Sequence, residues 1–205
     1  MASNLPDYRA YKGLIFDLDG TLIDSMPFHT RAWLATARAH GFAFDPELIS
    51  RWGGFSSLDV ALNLQKMGYD TGDPQEFVRQ KVALYRAHIE EVPGIAQTCR
   101  ILKEAHGLGI KTAVATGTQR INAEDALRLH GLAQYTDALV SAESVTRHKP
   151  APDSFLKAAE LLGLKPSECA VFEDGAPGFA AAAAGGFDCY KVIGVTVAAF
   201  EPARR

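Results

Sequence analysis

Residues 13–21 read Gly13-Leu14-Ile15-Phe16-Asp17-Leu18-Asp19-Gly20-Thr21. A short apolar run bounded by a turn signal predicts a buried strand. What leaves the strand is unusual: two carboxylates one residue apart, then Gly. A strand exit needs one turn residue, not two like charges close enough to repel. Such a pair raises a pKa or recruits a cation. A hard cation such as Mg²⁺ takes oxygen ligands and keeps open positions for phosphate. One of the two carboxylates can also act as a nucleophile, because aspartate forms aspartyl-phosphates. The plainer reading is an Asp-Gly turn leaving a core strand, and the rest of the chain decides between the two.

Working outward, short apolar runs alternate with helical stretches. Strands are predicted at 12–16, 110–115, 138–141, 170–172 and 190–195, and helices near 95–106, 120–130, 153–162 and 176–184. Gly107, Gly131, Gly163 and Gly185 follow those helices as C-terminal stops. This alternation argues for an α/β fold, a Rossmann-like parallel sheet with helices on both faces, and right-handed crossovers. The 180–184 alanine run reads as a helix packed closely on that sheet. One interval breaks the rhythm. Between Asp24 and Glu91 no strand is predicted; helices are read near 27–40, 46–52, 57–67 and 74–91. A block longer than an ordinary crossover, inserted at the carboxyl end of the first strand, predicts an α-helical cap domain over the place where open α/β sheets bind ligands. The expected division is a core of residues 1–23 and 92–205 and a cap of 24–91, hinged near 24–25 and 91–93.

Composition excludes several classes. The chain has 205 residues, 47% apolar and 22% charged, with net charge −3 and pI about 6.1, ordinary for a globular protein and without a basic footprint for nucleic acid. No apolar run reaches the ~18 residues of a membrane span, and residues 1–7 show no basic region followed by an apolar stretch, so no signal peptide is expected. Cys99, Cys169 and Cys189 have no metal-binding spacing and read as free core thiols in a reducing cytoplasm. No pattern fixes the number of subunits.

Three more signals sit at carboxyl ends of predicted strands. Val114-Ala115-Thr116-Gly117-Thr118 offers a hydroxyl and following N–H groups that suit phosphate oxygens. In His148-Lys149-Pro150-Ala151-Pro152-Asp153, prolines stiffen the loop that carries Lys149, an ammonium that offsets carboxylates and contacts phosphate. Phe172-Glu173-Asp174-Gly175 adds a second acidic pair. Each has a bland alternative: a Thr-Gly turn, a solvated lysine, a helix cap. Together Asp17, Asp19, Glu173 and Asp174 converge on neighbouring strand ends, where their repulsion calls for a cation.

With these four motifs in this order, the chain resembles the haloacid dehalogenase superfamily of phosphotransferases along essentially its whole length. The inserted helices resemble the subgroup with a small helical cap. Within it, Asp24, the 29–33 segment His-Thr-Arg-Ala-Trp, the 149–153 loop and Gly178 are similar to fructose-1-phosphate/6-phosphogluconate phosphatases and β-phosphoglucomutases. The resemblance implies that Asp17 is the nucleophile and a Mg²⁺ ligand. Asp19 is implied to be general acid and then base, its main-chain oxygen also on the metal. Asp174 ligates Mg²⁺ and Glu173 supports it through water. Thr116 and Lys149 hold the phosphate with N–H groups of Leu18, Gly117 and Thr118. His29, Lys81 and the 53–57 loop, including Gly54 and Ser57, face a phosphorylated small sugar from the cap. Phosphoryl transfer is mainly positioning and charge stabilisation, which this set supplies.

Asp19 argues for an oxygen leaving group, since the dehalogenases and phosphonatases of the superfamily lack that second acid. The expected activity is Mg²⁺-dependent hydrolysis of a sugar phosphate of the fructose 1-phosphate or 6-phosphogluconate type. A mutase remains the alternative; there a cap-loop arginine grips the distal phosphate, whereas Gly53-Gly54-Phe55-Ser56-Ser57 has no cation and Arg51 lies upstream. A non-catalytic binding module is a remoter alternative. Gly175, where relatives usually carry Ser, departs from the pattern.

Overall fold

The computed structural model describes residues 5–53 and 55–203. Its sheet has six strands in the order β3-β2-β1-β4-β5-β6: β1 (Gly13–Phe16), β2 (Lys111–Ala115), β3 (Ala138–Val140), β4 (Cys169–Glu173), β5 (Asp188–Ile193) and β6 (Thr196–Glu201). The first five run parallel, while β6 pairs antiparallel with β5. The sheet is therefore mostly parallel, with one edge strand that the sequence reading missed. The sequence predicts a single strand over 190–195. The chain instead reverses at Gly194, whose φ is +63°, and returns through Thr196–Glu201. Two alanines and a half-exposed face gave that return strand a weak signal.

Alternation along β1 divides the core. Leu14 and Phe16 face a cluster with Ile101, Leu102 and Ala105 of α5 (Ala96–Gly107) and Ala123, Ala126 and Leu127 of α6 (Arg120–Leu129). Ile15 faces the other way, toward Phe155, Ala158 and Ala159 of α7 (Asp153–Leu162) and Ala181 and Ala182 of α8 (Ala176–Gly185). Phe16, Phe172 and Tyr190 are register partners on β1, β4 and β5. Their rings stack in a ladder, with centroids 4.6 and 4.7 Å apart. The ladder aligns the strand ends just before Asp17, Glu173 and Asp174. The cysteines are free, Cys169 and Cys189 buried in the core and Cys99 half-buried.

Between β1 and α5 lie α1 (Met26–Ala39), α2 (Glu47–Arg51), α3 (Ser57–Lys66) and α4 (Pro74–Arg86). They share a hydrophobic cluster of their own, including Trp33, Phe44, Ile49, Leu64 and Phe77. Ser56 and Asp73 cap α3 and α4 by accepting the N–H groups of Asp59 and Glu76. The helix expected to reach residue 91 ends at Arg86, and the chain tightens into a 3₁₀ turn over Ile89–Glu91. The two passages between this block and the sheet are hydrogen-bonded to each other. Asp24 N–H donates to Pro93 O at 2.8 Å, and Ile95 N–H donates to Leu22 O at 2.8 Å. Arg86 adds a side-chain tie, donating to Asn122 and, at 2.8 Å, to Asp125 on α6. Among the described residues, no helix is long and apolar enough to cross a membrane.

Candidate active site

Strand register brings the expected residues together. Phe16 stands opposite both Val114 and Phe172, so the chain leaves β1, β2 and β4 at one level. Asp17, Thr116, Glu173 and Asp174 follow directly. Lys149, in the loop before α7, reaches into this level and is only 3% exposed. Its ammonium donates to Asp17 Oδ1 and Glu173 Oε2, both at 2.6 Å, and to Ala115 O at 3.3 Å. A buried charge of this kind is stable only with such partners. Burial pushes the Lys149 ammonium down, but the charges of Asp17 and Glu173 beside it win and hold it above its usual range.

Glu173 is held on every side. Its Oε1 accepts the N–H groups of Asp174 and Gly175 at 3.0 and 2.9 Å. Gly178 on α8 makes room for it: a Cβ there would lie 2.0 Å from Glu173 Cδ. Gly20 does the same for Asp174, where a Cβ would lie 2.1 Å from Oδ2. Gly175 has a third role. A Cβ on it would meet the Gly53 carbonyl oxygen at 3.1 Å, so the glycine lets the loop after α2 come down onto the end of β4.

Carboxylate oxygens of Asp17, Glu173 and Asp174 lie within 4.8 Å of one another. Burial and the charge of Glu173 push the Asp17 carboxyl well up, and the same two causes bring Asp174 to about 8. Lys149 alone therefore does not balance this cluster. Oxygens without a protein donor among the described residues are Asp17 Oδ2, Asp174 Oδ2 and the Asp19 carbonyl oxygen. A hard, oxygen-seeking divalent cation fits that donor set and the charge deficit.

Asp19 is handled differently from its neighbours. Its Oδ1 accepts from Ser25 Oγ at 2.6 Å and lies 3.1 Å from His29 Nε2; its Oδ2 accepts from Thr118 Oγ1 at 2.6 Å and Thr116 Oγ1 at 3.4 Å. Burial pushes this carboxyl up, but the adjacent His29 and the hydrogen bonds from His29, Ser25 and Thr118 outweigh it and hold Asp19 below the usual range. Behind His29, Lys81 Nζ donates to Nδ1 at 2.8 Å, which leaves Nε2–H to donate to Asp19. Burial brings the Lys81 ammonium to about 8 against the pull of Asp19. His29 stacks on Tyr85 with ring centroids 4.0 Å apart, and burial and Lys81 push its pKa down.

A cavity of about 50 Å³ joins these groups, walled by Asp17, Asp19, Thr116, Gly117 and Thr118 below and His29, Lys81 and Ser57 among the residues above. The expected Gly54 lies outside the described residues. The Leu18 and Gly117 N–H groups have no acceptor among the described residues, while the Thr118 N–H already donates to Thr116 Oγ1 at 3.0 Å. The sequence reading missed three supporting hydroxyls: Ser25, the Thr118 side chain, and Thr21, which donates to Asp174 Oδ1 at 3.2 Å. It also missed the apolar wall of Met26, Trp33, Ile49, Trp52, Phe55 and Val60. Their signal was present as apolar periodicity, which by itself reads as helix core.

Comparison with known proteins places the chain among relatives. A family model for haloacid dehalogenase-like hydrolases matches residues 11–186. Fructose-1-phosphate phosphatase YqaB of Escherichia coli is 35% identical over 185 residues, covering 90% of this chain and 98% of that protein. Hexitol phosphatase A of Escherichia coli is 35% identical over 93% of this chain and 86% of its own length. Among solved structures, a hydrolase from Pseudomonas syringae superposes with a TM-score of 0.79 at 25% identity, covering 86% of this chain and 82% of that one.

Proposed function

The chain belongs to the haloacid dehalogenase-like hydrolases, and from that premise we propose that it is a cytoplasmic, Mg²⁺-dependent phosphatase of small sugar monophosphates of the fructose 1-phosphate type. The observation that carries this reading is the setting of Asp17: one carboxylate oxygen is held by Lys149 at 2.6 Å, and the other has no protein donor among the described residues. Thr116 and Gly117 line the same cavity as Asp17, and the N–H groups of Leu18 and Gly117 have no acceptor among the described residues. Phosphoryl transfer needs that combination of a fixed nucleophile and a cradle for three oxygens.

In this reading the Asp17 carboxylate attacks phosphorus, the ester P–O bond breaks, and Asp19, once protonated, gives that proton to the departing oxygen. Water then attacks the aspartyl-phosphate, Asp19 takes the water's proton, and phosphate leaves with Asp17 restored. Asp19 rests ionised in its shell of donors. A phosphate dianion beside it raises its pKa by like-charge repulsion, so that it takes up a proton from water as substrate binds and returns one to water when phosphate leaves. Asp17, Asp174 and the Asp19 main-chain oxygen would hold Mg²⁺, with Glu173 supporting the set. When bound, the ion balances the carboxylate charge and polarises the phosphoryl oxygens.

We also read the helical block 24–91 as a cap. The cavity of about 50 Å³ holds only a few waters at the ~10–15 Å³ each requires, so a sugar phosphate enters by displacing the block. Hydrolysis is favoured over isomerisation because, among the described residues, no arginine lines the cavity. Arg51 points away: its side chain is 67% exposed and pairs with Glu47 at 3.3 Å. The test is phosphate release from a panel of sugar phosphates with Mg²⁺. We expect release from fructose 1-phosphate. No release from any member by folded protein would overturn the reading, as would isomerisation of β-glucose 1-phosphate, primed with a trace of the 1,6-bisphosphate, running faster than phosphate release.

A further inference from the structure

The roof of the cavity says what the leaving group must be. Six of its side chains are apolar, Met26, Trp33, Ile49, Trp52, Phe55 and Val60. Its one cation among the described residues, Lys81, is already engaged: it donates to His29 and lies 4.9 and 5.5 Å from the ring centroids of Trp33 and Tyr85. Through His29 it stands one side chain from Asp19, beside the bond to be cleaved. Arg51 is outside, paired with Glu47. Among the described residues of the roof, Ser57 lines the cavity with a hydroxyl-bearing side chain.

On the phosphatase reading above, we propose that this site selects monophosphates whose leaving group is uncharged, a neutral sugar or polyol, and rejects aldonate phosphates and bisphosphates. A neutral sugar lays its C–H faces on Trp52 and Phe55 and keeps a hydroxyl for Ser57. A carboxylate or second phosphate placed against the same wall would give up its water without meeting a partner. An unpaired charge is costly to bury, and rejection of this sort needs no dedicated repulsive group.

The test compares kcat/KM for fructose 1-phosphate, sorbitol 6-phosphate, 6-phosphogluconate and fructose 1,6-bisphosphate, with para-nitrophenyl phosphate as a reporter of the core chemistry. We expect the two charged leaving groups to fall about a hundred-fold below the neutral pair, the factor set by an uncompensated buried charge. A charged substrate within ten-fold of the neutral pair would overturn the inference while leaving the phosphatase reading intact. No phosphate release from any substrate, para-nitrophenyl phosphate included, would overturn the phosphatase reading itself. Phe55→Arg should raise the ratio of 6-phosphogluconate to fructose 1-phosphate about ten-fold by supplying the missing partner. Trp52→Lys, at a second half-buried roof position, should move the ratio the same way; unchanged ratios in both folded variants would count against the roof as the selector.

Discussion

Replacing Gly178 by Ala adds one methyl group to a helix, yet it should cripple this protein. On propensity alone the change is favourable, because Gly costs a helix interior about 1 kcal/mol relative to Ala. Packing decides otherwise. The new Cβ would lie 2.0 Å from Glu173 Cδ, 2.1 Å from Oε2 and 2.4 Å from Cγ. Glu173 cannot retreat freely, since Oε2 is held by Lys149 at 2.6 Å and Oε1 by the N–H groups of Asp174 and Gly175. Either these bonds break or α8 lifts from the sheet. Displacing one partner of a buried ion pair costs about 3–5 kcal/mol, so the net loss should be about 2–4 kcal/mol after the helix gain. For a chain of this size that lowers Tm by about 4–16 °C. Phosphatase activity should fall with it, because Lys149 loses a carboxylate that holds it against Asp17. Differential scanning calorimetry of Gly178→Ala and of Ala180→Gly, at an exposed site on the same helix, separates the effects: the latter should cost only about 1 kcal/mol. An unchanged or raised Tm for Gly178→Ala, with full activity, would refute the packing argument.

Asp17→Asn should lower kcat at least about a thousand-fold by removing the nucleophile; near-normal kcat with native far-UV circular dichroism would exclude the aspartyl-phosphate route. Prolonged EDTA treatment should abolish activity and Mg²⁺ restore it, with Ca²⁺ a poor substitute because it accepts a looser, larger coordination shell; full turnover in chelator would contradict the metal assignment. Lys81 has a pKa of about 8 in the folded chain against an ordinary 10.5. Below pH 8 the folded state bears the full cost of a buried ammonium, and between pH 8 and 10.5 that cost is relieved. The native protein should therefore gain on the order of 3 kcal/mol across that window relative to Lys81→Met; urea denaturation at pH 7.5 and pH 10 showing an equal difference at both would refute it.

The parts of the site that were legible in the sequence are those that interrupt a pattern. Asp17 and Asp19 stand out because an apolar run ends in paired charge, and Glu173-Asp174 repeats the anomaly on a strand that proves to be its register neighbour. Lys149 was legible only beside them, since a lysine between prolines is ordinary alone. The hydroxyls of Ser25 and Thr21 were not legible: each continues a polar turn, and only the folded chain shows which carboxylate it meets. The apolar roof was hidden for the opposite reason. Trp33, Ile49 and Val60 obey helical periodicity, so nothing distinguishes a core position from a cavity wall until the helices are packed. Strand β6 escaped because an edge strand needs little hydrophobic patterning, and its identity lies in pairing with β5.

The doubled connection between the helical block and the sheet has a mechanical consequence. A domain on one peptide strand is a weight on a string, free to swing and spin. Here two antiparallel passages are stitched together by the Asp24–Pro93 and Ile95–Leu22 hydrogen bonds, and a stitched pair behaves as a strip of ribbon, which flexes across its face but resists shear in its plane. On the proposal that the block is a cap, this leaves it one soft direction of travel, and each return stroke brings Ser25 and His29 back to Asp19 in the same alignment, so accuracy at the reacting atoms is set at the hinge, without a search over orientations.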